Sequence, residues 1–158
     1  MSSIYINDVW NVYFHDPYDM NWDINSYKFI TSISSVEDYV NVYKSFEKLW
    51  TNGMFFIMRE EVTPRWEDEK NINGGCLSFK VNKPEFNEKF FEICSLMLGE
   101  TLGKTDMTST FINGLSISPK KNYHIIRIWL KNNERVTKNF FNLNVPNYSI
   151  VMYKSHNE

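Results

Sequence analysis

Trp66 stands alone in a run of charge, Pro64-Arg65-Trp66-Glu67-Asp68-Glu69-Lys70-Asn71, with the glycine pair Gly74-Gly75 just beyond it. Apart from Pro64 it has no apolar neighbour within three residues on either side. That excludes it from the buried stripe of a regular helix or strand. An indole held in a polar loop stacks on a flat cation, and a carboxylate beside it accepts the cation's N–H donors. The same position also suits a loop tryptophan folded back onto the core, and these residues alone leave both readings open.

Trp22, between Asn21 and Asp23, is a second indole in a polar loop, readable as a ligand platform or as a plug under its own loop. Two such loops could sandwich a flat ring, each face contributing about 0.5–2 kcal/mol if the ring is cationic and desolvated. Glu67 adjoins Trp66 and leads the acids, whereas Asp68 and Glu69 read as solvated loop or as partners for Lys70 and Arg65. Trp10 and Trp50 sit on apolar stripes and are assigned to packing, and Trp129, in the strand 125–130, reads by position as core. Lys120 and Lys121 occupy a turn, where solvated charge is common. Arg127 shares parity with Ile125 and Trp129, so the three project from one sheet face. There it can meet an anionic substituent of a stacked ligand or pair with an acid on a neighbouring strand.

The elements that position these residues follow from periodicity. Strands are predicted at Val9 to Phe14, Tyr27 to Ile33, Met54 to Met58, Cys76 to Val81, Phe111 to Ile117, Tyr123 to Leu130 and Tyr148 to Tyr153. Ser34-Ser35-Val36-Glu37 has capping-box spacing and starts a helix with Val36, Tyr39, Tyr43, Phe46 and Trp50 on one face, stopped by Asn52-Gly53. A second helix opens at Pro84, buries Phe86, Phe90, Ile93 and Met97, and ends at Gly99. Thr101 to Ser109 reads as an exposed loop, and Val136, Phe140 and Leu143 mark a short third helix. The fold class is α+β, with helices on one face of a mostly antiparallel sheet.

The 158 residues form one domain, 1–158, large enough for a core without disulfides or metals. A formal charge of −2, from 17 basic and 19 acidic residues, excludes a protein that holds nucleic acid by neutralising many phosphates. An RNA partner would have to be held by a few specific contacts. Cys76 and Cys94, with no C-x-x-C and no signal peptide, fit reduced thiols in the cytosol. His15, His124 and His156 are scattered and suggest no zinc site, and no apolar run is long enough to span a membrane. The chain has no alanine or glutamine and 19 asparagines, a bias toward AT-rich codons that points to a parasite or a large DNA virus.

Taken in order, Trp22, Val36-Glu37-Asp38-Tyr39, the W-E-D-E-K-N block with Gly74-Gly75, Leu98-Gly99-Glu100, Ile128-Trp129 and Tyr153 to His156 resemble the translation initiation factor 4E family, proteins that bind the 7-methylguanosine cap of mRNA. The resemblance covers nearly the whole chain. It implies a curved antiparallel sheet with about three helices on its convex face. It implies that Trp22 and Trp66 sandwich the methylated base, Glu67 accepts from its N1–H and N2–H₂, the Trp66 amide donates to O6, and Trp129 touches the methyl group. Lys120 matches a phosphate-binding arginine. Cys76 stands where the family carries an arginine after the glycines, and the later strand lysine falls at Ile125, so Lys121 and Arg127 are the candidate replacements.

The resemblance further implies that a scaffold of the 4G type, bearing a Y-x-x-x-x-L-Φ helix, docks on the first two helices. Val36, Glu92 and Gly99 match that surface, while Val40 replaces its central tryptophan and Ser95 an apolar residue. Losing an interface indole costs about 2 kcal/mol or more, so a divergent scaffold or none is expected. The resulting expectation is a monomeric, non-enzymatic, cytoplasmic cap-binding initiation factor needing no cofactor or metal. Its rivals are a cap-binding repressor that recruits no scaffold, and a hydrolase using Glu67 with Asp68 or Glu69.

Overall fold

The computed structural model describes residues 3–50 and 52–157. Seven strands, β1 (Tyr5–His15), β2 (Lys28–Ser35), β3 (Met54–Arg59), β4 (Gly75–Asn82), β5 (Ile112–Pro119), β6 (Tyr123–Leu130) and β7 (Met152–Ser155), form one curved sheet. Their order is β2-β1-β3-β5-β6-β4-β7, and every pairing is antiparallel. The helices are α1 (Val36–Ser45), α2 (Lys83–Leu98) and the four-residue α3 (Asp106–Ser109).

Strand alternation separates two environments. On one face, Trp10, Val12, Ile57, Leu77, Ile126 and Ile128 are at most 1% exposed and meet the stripe of α2 (Phe86, Phe90, Ile93, Met97) and Tyr39 and Val42 of α1. Each such side chain contributes about 1.5–3 kcal/mol by leaving water. On the other face, Phe56, Met58, Cys76 and Trp129 form a smaller apolar cluster, and the register sets Trp129 beside Cys76 and Arg127 between Ser78 and Ser116.

Several local features differ from the periodicity reading. The α1 cap is Ser35, whose hydroxyl accepts from the Asp38 amide at 3.0 Å, while Asp38 accepts from the Ser34 amide and hydroxyl. The box is therefore shifted by one residue, and Glu37 instead accepts from the Ile4 amide. α1 stops at Ser45, and hydrogen-bonded turns carry the chain through Trp50, which stays 1% exposed because helical spacing persists in the turns. Thr101 to Ser109 is not an exposed loop: it contains α3 and buries Leu102, Thr108 and Ser109. The helix expected around Phe140 is a 3-10 turn, Lys138–Phe140.

Gly99 is the α2 cap, but the left-handed residue is Glu100, with φ 59°. Glu100 N–H donates to Met97 O and Thr101 N–H to Leu96 O, the 5→2 and 6→1 pair of a Schellman ending. A non-glycine residue holds that position because its carboxylate grips Arg59 Nη1 and Nη2 at 2.8 and 2.7 Å. Arg59, 9% exposed, also donates to Asp8 and to the Ile112 and Ser109 carbonyls.

Candidate functional site

Trp22 and Trp66 come from different loops, are 43% and 47% exposed, and line one cavity of about 730 Å³ on the sheet face opposite α1 and α2. Neither indole is folded back into the core. Trp129 forms part of the cavity wall although it is only 7% exposed, so it belongs both to the packing and to the site. Its indole N–H donates to Ser116 Oγ at 3.0 Å, and Phe56 stands edge-on to its ring.

The Trp22 loop is held by its own side chains. Asp16, Asp19, Asn21 and Asp23 each accept the amide two residues on, from Tyr18, Asn21, Asp23 and Asn25, at 2.9–3.1 Å. These are successive Asx turns, which need no core to define them. Beneath the indole lies His15, fully buried, its ring parallel to that of Trp22. The carbonyl oxygens of Asp16 and Asn21 lie 2.9 and 2.8 Å from its two ring nitrogens and fix its plane. Tyr27 packs against His15, Trp22 and Phe56. Burial first, and then the Glu67 charge, push its hydroxyl up to about 12.

The Trp66 loop is tied from below. Asn71, fully buried, donates to the Thr63 and Arg65 carbonyls, and Asn113 of β5 donates to Asn71 Oδ1 and to Lys70 O. Asp68 is no solvated acid: it accepts from the Thr63 amide and hydroxyl and from the Lys70 amide. Burial would raise its pKa, but those hydrogen bonds prevail and hold it below the usual carboxylate range. Beyond the loop, a Cβ on Gly74 would lie 1.8 Å from Leu130 O, and one on Gly75 2.1 Å from Lys154 O, so the chain can pass there only as glycine.

Glu67 is the one expected base-contacting residue absent from the cavity wall. Its carboxylate is drawn aside to Arg65 at 3.3 Å, an exposed pair worth about 0–1 kcal/mol and readily released. His156 stands between the two aromatic walls, 6.4 Å from the Trp66 ring and 5.3 Å from Trp129. Burial lowers its pKa against the opposing pull of Glu67.

The opposite end of the cavity is cationic. Lys120, Lys121 and Arg127 line it as expected, and Lys83 of α2 joins them. Arg127 donates to Ser118 Oγ at 3.1 Å and pairs with no strand acid among the described residues. Cys76 packs beside Trp129, and burial pushes its thiol up to about 12, which makes it filler rather than a phosphate ligand. His15, Tyr27, Lys83 and His156 were not found from sequence. Counting parity forward along β1 from Tyr13 signals His15, whereas Lys83 gives no sequence signal.

On the helical face, Val36 is exposed and Val40 half-buried. Ser95 Oγ donates to Phe91 O at 2.6 Å, and Glu92 accepts from Lys89. Phe91, 42% exposed, stacks on Tyr39 and meets Tyr43 edge-on, so the exposed aromatic of this face comes from α2.

The family model for eukaryotic initiation factor 4E matches residues 5–158. Initiation factor 4E of Candida albicans is 26% identical over 137 residues, 80% of this chain and 64% of that one. The Eremothecium gossypii factor is 28% identical over 107 residues, 65% of this chain and 49% of that one. The chain thus spans about half to two thirds of the length of these relatives. The C. elegans initiation factor 4E-3, solved with the 4E-binding protein Mextli and a cap analog, superposes with a TM-score of 0.83 at 18% identity over 99% of this chain and 94% of that one. At that identity the likeness is one of fold. The chain belongs to the eukaryotic initiation factor 4E family.

Proposed function

We propose that this chain is a single cap-binding domain that holds the 7-methylguanosine 5′ end of mRNA and serves translation initiation. The observation that carries this is the meeting of two half-exposed indoles, from independently braced loops, over one cavity with a third indole in its wall and cations at its far end. N7 methylation makes guanine cationic, which favours stacking between the electron-rich faces of Trp22 and Trp66. Glu67 leaves Arg65 to accept from the base N1–H and N2–H₂, the Trp66 amide donates to O6, and Trp129 meets the methyl group. Lys120, Lys121 and Arg127 take the triphosphate, with Arg127 substituting for the lysine replaced by Ile125. The action is binding rather than bond-making, in the cytoplasm, by a monomer. An AT-rich parasite or virus as its source is supported by residue composition.

The scaffold that follows cap binding docks on α1 and α2 around Val36, Val40, Glu92, Ser95 and Gly99. With Val40 in place of an indole, and the Ser95 hydroxyl satisfied by Phe91 O, a standard 4G-type peptide binds weakly and a divergent one is preferred. Tight capture of a standard scaffold peptide would refute that preference. The cap reading is tested by titrating tryptophan fluorescence with 7-methyl-GTP and with GTP. Quenching by the methylated nucleotide alone is expected; equal quenching by both, or by neither, overturns it.

A further inference from the structure

The cavity continues past the groups needed for a methylated base and a triphosphate. Its wall includes Lys83 and Tyr18, which have no part in the proposed cap contacts. Four cations line it, Lys83, Lys120, Lys121 and Arg127, and none forms an ion pair among the described residues. The cap bridge has three phosphates, so one cation is in excess. Lys83 is the first residue of α2, and its amide, donating to Asn122 O at 3.3 Å, fastens that helix end to the turn bearing Lys120 and Lys121.

Tyr18, which lines the same cavity, is 92% exposed on the same Asx-turned loop as Trp22, with its amide held by Asp16. A side chain so exposed on a braced loop has its ring face free. The loop's carboxylates, Asp16, Asp19 and Asp23, make that side hostile to phosphate. A single strand entering here therefore runs its backbone along the lysine wall and turns its base toward the tyrosine, the usual division between a charged track and a stacking platform.

Resting on the cap reading, we propose that this outer end is a subsite for the RNA that follows the cap. Tyr18 stacks the first transcribed base, and Lys83 neutralises the phosphodiester on its 3′ side. Stacking is sequence-tolerant, so any of the four bases is accepted there.

The test compares three ligands, 7-methyl-GTP, the capped dinucleotide m7GpppG and the capped trinucleotide m7GpppGpG, on wild type, Tyr18→Ala and Lys83→Met. Tyr18→Ala is expected to weaken both RNA-like ligands about tenfold and leave 7-methyl-GTP unchanged. Lys83→Met is expected to weaken only the trinucleotide and to reduce its log–log salt slope by about 0.7. Equal losses across all three ligands, or no loss on any, overturn the subsite while the cap reading stands. If wild type fails to bind 7-methyl-GTP, the cap reading falls and takes the subsite with it.

Discussion

The imidazole of His15 lies flat beneath the indole of Trp22, with ring centroids 3.9 Å apart and planes 3° from parallel. One face of Trp22 is thereby backed by a buried ring and the other is left to the cavity. His15→Ala removes the backing and should weaken 7-methyl-GTP by about 1 kcal/mol, roughly fivefold. His15→Phe restores a flat support and should recover most of that affinity. Fluorescence titration of both variants, with thermal melts to separate folding from positioning, decides the matter. Wild-type affinity in a well-folded His15→Ala protein would remove His15 from the site.

Glu67 and Asp68 are neighbours with opposite fates. Glu67→Gln loses a charged acceptor for the base edge and should weaken the methylated ligand by about 2 kcal/mol without lowering the melting temperature. Asp68→Asn keeps an acceptor for the Lys70 amide but loses the one that Thr63 N–H and O–H share, and should lower stability instead. Calorimetric titration beside melting curves separates them, and a stable Glu67→Gln protein with unchanged affinity would exclude the base-reading role.

Arg59 and Glu100 test the cost of leaving a buried cation without its bidentate partner. Glu100→Ala should destabilise by about 3 kcal/mol in urea unfolding. Glu100→Gly loses the same carboxylate but relieves the φ of 59°, so it should be about 1 kcal/mol less damaging than the alanine. A Glu100→Ala protein as stable as wild type would contradict the assignment.

His124 sets an acid limit on stability. It is fully buried against Phe86, and burial first, then Lys83, lower its pKa from 6.5 to about 4. Above pH 6.5 the folded and unfolded states are both neutral there. As pH falls from 6.5 toward 4, only the unfolded chain gains the proton, so stability declines. The loss between pH ~7 and ~5 should be about 2 kcal/mol, and His124→Phe should flatten that part of the profile. An identical slope in the variant would show that other groups cause it.

Strand alternation was the most informative sequence signal, because parity alone placed Arg127 and Trp129 on one face and kept Trp10 in the core. The isolation of Trp66 among charges kept it out of any helix or strand stripe, but only the structure, with the indole 47% exposed, chose between an outward loop and one folded back on the core. Failures came where side chains replaced backbone partners. Tyr148 to Tyr153 has strand composition, yet the ladder with β4 begins only at Met152. Before that, Ser149 Oγ accepts the Lys80 amide and the Tyr148 hydroxyl accepts the Asn82 amide, which uses up the donors a longer strand would need. Lys83 is illegible for a related reason: its role arises from contacts between elements, which no local period encodes.

The chain of Asx turns between Asp16 and Asn25 braces the loop with its own side chains. A receptor surface already set before encounter has little rearrangement to slow capture. Ligands that differ in methylation or in trailing nucleotides should therefore arrive at similar rates and differ chiefly in residence time.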